Sequence, residues 1–270
     1  MAGSKRPKGL LFDIGGVCVV SPFQAILDYE IANNIPLGWV NYSIQHTSPD
    51  GAWHKIERGE IDCDANFFRA FNSDFRHQHL WEAFHEQLRK KKKGSTAAAA
   101  AATNTPLPPL PTIDAEYMFW EMMRMARNPD PYMYPALQKL QASGEFVLGA
   151  LSNTTILPED SPASKGPQVD VKQYFDFFIS SAHVGLRKPD PRIYELALKE
   201  MNEAARKKGM AAIEPGDIIF LDDIGINLKW AKKSGFRTIK VNLGRTDEAV
   251  RELEEATGLR LLENGGRARL

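Results

Sequence analysis

Short apolar runs recur along the chain, at Leu10–Ile14, Phe146–Leu151, Phe175–Ser180, Ile218–Leu221 and Thr238–Val241. They are nearly continuous in apolar character rather than alternating. That pattern predicts parallel strands covered on both faces. Between most of them the spacing becomes helical. After Asp190-Pro191, residues Ile193, Leu196, Ala197 and Met201 recur at helical intervals. Asp190 suits an N-terminal cap there, and Pro191 suits the first helical position. A second helix, around Asn227–Ser234, is closed by Gly235, a good C-terminal cap. Strand–helix alternation predicts an α/β fold: a Rossmann-like open parallel sheet with right-handed crossovers. Ligands of such sheets bind at the C-terminal strand ends, which puts Asp13, Ser152 and Asp222 on one rim.

Residues 22–125 break this alternation. They hold much of the aromatic content, including Trp39, Trp53, Trp81, Trp120, Phe67, Phe68, Phe71, Phe75 and Phe84. We read them as a helical cap inserted after the first strand, leaving 1–21 and 126–270 as the core. The aromatics suit the cap's own interior, since burying large apolar side chains holds such a unit together. Within the cap, RKKKKGSTAAAAAATNTPLPPLP (89–111) is low in complexity. It predicts a solvated, mobile loop at about 89–112, because such composition cannot bury a core. Its lysine run and PLPPLP stretch are also compatible with a nuclear signal and an SH3-type ligand. His77 and His79, two residues apart, point in different directions on a helix and have no third ligand nearby in sequence, so no metal is expected there.

Composition narrows the function classes. Of 270 residues, 43% are hydrophobic and 25% charged; Lys+Arg and Asp+Glu both number 34, giving zero net charge. Nothing here favours nucleic acid or a charged membrane surface. The two cysteines, Cys18 and Cys63, are no disulfide framework, so a reducing compartment is expected. The basic N-terminus lacks a following signal-peptide apolar stretch, and no window approaches the roughly 18 apolar residues of a membrane span. The terminal Ala268-Arg269-Leu270 matches the small–basic–Leu form of a peroxisomal import signal. Localisation is therefore expected to be peroxisomal or cytoplasmic, with the import receptor as one partner.

Four segments carry candidate chemistry: FDIGGV (12–17), LSNT (151–154), GLRKPDPRIY (185–194) and FLDDIGINL (220–228). A carboxylate ending a buried strand, as at Asp13, is a nucleophile, a metal ligand or a cap. Gly15-Gly16 lets the backbone wrap an oxyanion. Asp222-Asp223 sets two carboxylates side by side, which repel unless a cation sits there. An all-oxygen ligand set favours a hard cation such as Mg²⁺.

In this order the four segments resemble the haloacid dehalogenase (HAD) superfamily. In detail they are similar to the N-terminal phosphatase domain of soluble epoxide hydrolases and the related N-terminal domain of acyl-CoA dehydrogenase fusion proteins. The resemblance covers nearly the whole chain except the low-complexity loop. It implies that Asp13 forms a covalent intermediate. It implies that Ser152, the Asn153 backbone N–H and Lys188 hold the phosphate, with Lys188 also neutralising the nucleophile. It implies that Asp222 binds Mg²⁺, that Asp223 does so directly or through water, and that Asn227 lies at the site edge. Asp13 and the Gly15 carbonyl complete the implied metal set.

The chain departs from that pattern at Gly15, where HAD phosphatases usually carry the Asp that protonates the leaving group. Metal and phosphate binding are expected to survive the change, while general acid–base help, typically ~10²–10⁴-fold, is lost. Three readings follow. One is a Mg²⁺-dependent phosphatase for a small phosphorylated substrate, with lipid-derived phosphates the class that the resemblance to the epoxide hydrolase domain implies. Another is a catalytically impaired phosphate-binding or regulatory protein. The third is a haloacid-type dehalogenase.

Overall fold

The computed structural model describes residues 5–93, 106–164 and 170–262. Five strands form one sheet: β1 (Gly9–Phe12), β2 (Val147–Ser152), β3 (Phe177–Ser180), β4 (Ile218–Asp222) and β5 (Arg237–Lys240). All pairings are parallel, in the order β3-β2-β1-β4-β5. The chain moves outward from β1 to β2 and β3, then crosses back to β4 on the other side of β1. The reversal creates a switch point at the C-terminal end of β1, where open α/β sheets bind ligands.

Among the described residues seven helices lie between β1 and β2: α1 (Phe23–Ala32), α2 (Trp39–His46), α3 (Ala52–Glu57), α4 (Ala65–Asp74), α5 (Gln78–Lys93), α6 (Ala115–Met125) and α7 (Met133–Ser143). Then come α8 (Ser181–Val184) after β3, α9 (Pro191–Lys207) before β4, α10 (Gly225–Lys233) before β5, and α11 (Thr246–Thr257). Asp190 caps α9 by accepting the Arg192 N–H, with Pro191 in the first turn.

Alternate β1 side chains serve opposite faces of the sheet. Leu10 and Phe12 pack with Met133, Leu137 and Leu140 of α7 and with Val250 and Leu253 of α11. Leu11 packs with Ile193, Tyr194 and Met201 of α9 and with Ala231 of α10. Helices α1–α6 share a separate core built around Trp39, Trp81, Phe67, Phe71 and Phe119. Trp39 and Trp81 meet edge to face, with centroids 4.8 Å apart.

Strands β2 and β5 and helix α10 are shifted from the sequence expectation by one or two residues, and three further differences have a physical cause. Strand β1 ends at Phe12 rather than Ile14, because Ile14 enters a tight turn whose carbonyl accepts the N–H groups of Val17, Cys18 and Val19. Strand β3 begins at Phe177 rather than Phe175. Asp170 caps a 3₁₀ turn over Val171–Tyr174, and Phe175 packs into the core instead of joining the ladder. The described ends of the segment predicted as a loop at about 89–112 also differ from that expectation. Residues 89–93 extend α5, where Lys90 pairs with Glu86 at 2.7 Å. Leu107 and Leu110 pack on the α1–α6 core, and the Trp81 indole N–H donates to the Pro108 carbonyl at 2.7 Å. The proline stretch is thus engaged within the chain. Residues 94–105 of that segment and the terminal Ala268-Arg269-Leu270 lie outside the described residues. Among the described residues no helix is long and apolar enough to cross a membrane.

Candidate active site

Strand register assembles the site. Phe12 is level with Ala150 on one side and Leu221 on the other. One residue further on, Asp13 is level with Asp222, while Ser152 closes β2 beside it. Asp13 (6% exposed), Ser152 (3%) and Asp222 (0%) are all buried. The Asp13 N–H continues the ladder by donating to the Leu221 carbonyl at 2.9 Å. The turn that ends β1 also sets the carboxylate: its Oδ1 accepts the Ile14 N–H at 2.7 Å.

Lys188 reaches this point from the loop between α8 and α9. Its side chain is fully buried, and its Nζ lies 2.8 Å from Asp13 Oδ2 and 2.7 Å from Asp222 Oδ2. It also lies 5.3 Å from the centroid of the Phe220 ring. Burial alone would pull the ammonium's pKa down, but Asp13 and Asp222 outweigh it, so the net shift is upward and the lysine stays charged. Two of its three N–H donors are used, leaving one for a ligand oxygen.

The two acids of the Asp222-Asp223 pair differ in their surroundings. Both Asp222 oxygens are taken. Oδ2 accepts from Lys188 and Oδ1 from the Ile224 N–H at 2.7 Å, while the Asn227 amide reaches both at 3.1–3.2 Å. Burial pushes the Asp222 carboxyl up to about 6 against the pull of Lys188. Asp223 is pushed further, to about 8, first by burial and then by the charges of Asp13 and Asp222. Its Oδ1 is buried without a hydrogen-bond partner.

This donor set fits a hard cation. Oxygens of Asp13, Asp222 and Asp223 lie within 4.8 Å of one another, and the orphaned Asp223 oxygen lacks the partner that a buried polar atom normally has. Among the described residues the Gly15 carbonyl takes no backbone hydrogen bond, so it too is available. An all-oxygen set suits Mg²⁺. Glycine is required at position 16: its φ is +76°, and a Cβ there would lie 2.6 Å from Asp223 Oδ2. At Gly15 a Cβ would lie 3.2 Å from Pro22 Cδ, so the space that a longer side chain would use is bordered by the entry to α1.

Every residue singled out from the sequence for this site therefore lies at or beside one rim. His77 and His79 are exposed on the helical unit, away from this rim. Two contacts were not anticipated. The Asn153 side chain, not only its backbone, matters: Nδ2 donates to the Lys188 carbonyl at 3.0 Å, and Oδ1 accepts the Lys188 N–H at 2.8 Å. Cys18 donates its S–H to the Asp13 carbonyl at 3.1 Å, and burial pushes the thiol well up, leaving it an inert brace. Neither contact has a short-range sequence signal, since each depends on how distant segments meet or on a turn's exact path.

The family model for haloacid dehalogenase-like hydrolases matches residues 7–235. The mouse (Mus musculus) protein acyl-CoA dehydrogenase family member 10 is 28% identical over 263 residues, covering 96% of this chain and 20% of that protein. Bifunctional epoxide hydrolase 2 of Sus scrofa is 28% identical over 263 residues, covering 95% of this chain and 40% of that protein. The chain thus spans well under half the length of these relatives. A HAD-family enzyme from Bacteroides thetaiotaomicron superposes with a TM-score of 0.50 at 19% identity, over 89% of this chain and 96% of that one. A HAD-like hydrolase from Porphyromonas gingivalis also scores 0.50, at 17% identity, over 92% and 98%. These two likenesses concern the fold alone. The chain belongs to the haloacid dehalogenase-like hydrolase family.

Proposed function

We propose that this hydrolase is a Mg²⁺-dependent phosphatase acting through a phosphorylated Asp13. One Asp13 oxygen attacks phosphorus as the bond from phosphorus to the leaving oxygen breaks. Water then cleaves the acyl phosphate and releases inorganic phosphate. The free Lys188 N–H, the Ser152 hydroxyl and the Asn153 backbone N–H hold the non-bridging oxygens. Asp13, Asp223 and the Gly15 carbonyl, with Asp222 beside them, would hold Mg²⁺, which supplies charge neutralisation for phosphate and nucleophile. Gly15 has no proton to give, so the leaving oxygen takes one from water. Activated esters and acyl phosphates are accordingly the better substrates.

The observation that carries this reading is the buried, partnerless Asp223 Oδ1 beside two further carboxylates. A single lysine does not neutralise three acids, and halide displacement needs no cation at that position. A second reading, a phosphate-binding protein with little turnover, draws support from Pro22 standing against Gly15 where an acid would extend.

Turnover of p-nitrophenyl phosphate and acetyl phosphate, with Mg²⁺ and with EDTA, separates these readings. The phosphatase reading expects Mg²⁺-dependent release of phosphate that is lost in Asp13→Asn. Binding of vanadate without turnover supports the second reading. Metal-independent release of halide from a 2-haloacid supports a dehalogenase instead.

A further inference from the structure

Helix α3 of the helical unit is joined to the loop that carries Lys188. Glu57, 5% exposed, closes α3, and its Oε2 accepts both the Arg187 Nε at 2.8 Å and Nη2 at 2.6 Å. Arg187 immediately precedes Lys188. Its carbonyl accepts the Asp190 N–H at 2.9 Å, so the pair grips the turn that presents the lysine. The same end of α3 touches α8, which leads into this loop. Gly59 sits at φ +67°, and a Cβ there would lie 2.2 Å from the Ala182 carbonyl oxygen. Only glycine allows that backbone approach.

We propose that Glu57 is a positioning residue for the catalytic centre: by holding Arg187 it fixes the Lys188 loop, so the ammonium is in register with Asp13 only while α3 is docked. The inference rests on the phosphatase reading above.

Two features make the pair more than a surface contact. It is largely buried, at 7% and 21% side-chain exposure, where breaking one partner leaves a desolvated charge. It also joins residues 130 positions apart, across the junction of the α1–α6 core and the sheet. The Asn153 side chain anchors the Lys188 backbone from the β2 side. Glu57 is the corresponding anchor from the helical side, and Lys188 lies between the two. An error in the lysine's position of about 1 Å would act mainly on the transition state, where distances to the reacting oxygens are shortest.

The test measures binding of orthovanadate and of inorganic phosphate, both with Mg²⁺, to the wild type, Glu57→Gln, Arg187→Gln and the double variant, with melting temperatures in parallel. Vanadate mimics the five-coordinate transition state, whereas phosphate mimics the ground state. Glu57→Gln is expected to weaken vanadate binding roughly tenfold and phosphate binding less than about threefold. The double variant, with no unpaired charge, is expected to recover melting temperature but not vanadate affinity. If vanadate affinity recovers along with stability, or if Glu57→Gln leaves it unchanged, the pair is only structural and the proposal is wrong. A wild type that binds neither anion overturns the phosphatase reading itself, and this inference with it.

Discussion

Asn153 and Lys188 hold each other by two reciprocal hydrogen bonds, side-chain amide to backbone, at 2.8 and 3.0 Å. The arrangement imitates a rung of β-ladder and ties the end of β2 to the lysine loop. Asn153→Ala removes both bonds and leaves the Lys188 N–H and C=O without partners. A stability loss of about 1–3 kcal/mol is expected. Because the lysine loop loosens, turnover of p-nitrophenyl phosphate should fall on the order of 10–100-fold. Paired melting curves and kinetics check both, and unchanged kinetics would exclude the anchoring role.

Gly15→Asp restores a carboxyl where HAD phosphatases usually have one. Its backbone has no positive φ to obstruct a side chain, but Pro22 must give by a few tenths of an ångström. If it does, hydrolysis of an alkyl phosphate should rise by about 10²-fold relative to p-nitrophenyl phosphate, whose leaving group needs no proton. A folded variant with the same substrate ratio as the wild type would show that the missing acid is not what limits alkyl esters.

Gly16→Ala is expected to act through the metal position. The added methyl would collide with Asp223 Oδ2 at 2.6 Å and would occupy a left-handed backbone position, a strain of about 1–2 kcal/mol. The Mg²⁺ concentration for half-maximal activity should rise at least roughly tenfold as Asp223 is displaced. A Mg²⁺ titration reads this directly, and an unshifted midpoint would remove Asp223 from the metal set.

Much of this site was legible because Asp13, Ser152 and Asp222 end or directly follow strands, and strand ends are marked by where apolar runs stop. Asp13, Ser152 and Asp222 could be placed on one rim from that alone. The division of labour within Asp222-Asp223 was not legible: Lys188, the Ile224 N–H and Asn227 occupy Asp222, which leaves the free oxygen on Asp223. The role of Glu57 has no local sequence signal, since its partner Arg187 lies 130 residues away. The Pro-rich stretch was misjudged for a related reason. Composition reports average polarity, but Leu107 and Leu110 find a cap core that the stretch does not itself announce.

His54, one turn before Glu57 on α3, gives a pH signature. Burial first, then the charges of Arg187 and Arg58, lower its pKa to about 4. The folded chain thus keeps it neutral, while the unfolded chain protonates it near the ordinary 6.5. Its contribution to stability is present above pH 6.5 and is lost as pH falls through about 4, by up to about 3 kcal/mol. His54→Leu should therefore flatten the fall in melting temperature between about pH 7 and pH 4. An unchanged slope would mean that other groups govern acid unfolding.

Asp13 is the residue proposed to carry the phosphoryl group. Brief incubation with acetyl phosphate and Mg²⁺, acid quenching and peptide mass spectrometry test it most directly. The expected result is one added phosphoryl group on the peptide containing Asp13, absent with EDTA and absent in Asp13→Asn. Phosphate release without that adduct, or an adduct on another residue, would contradict it.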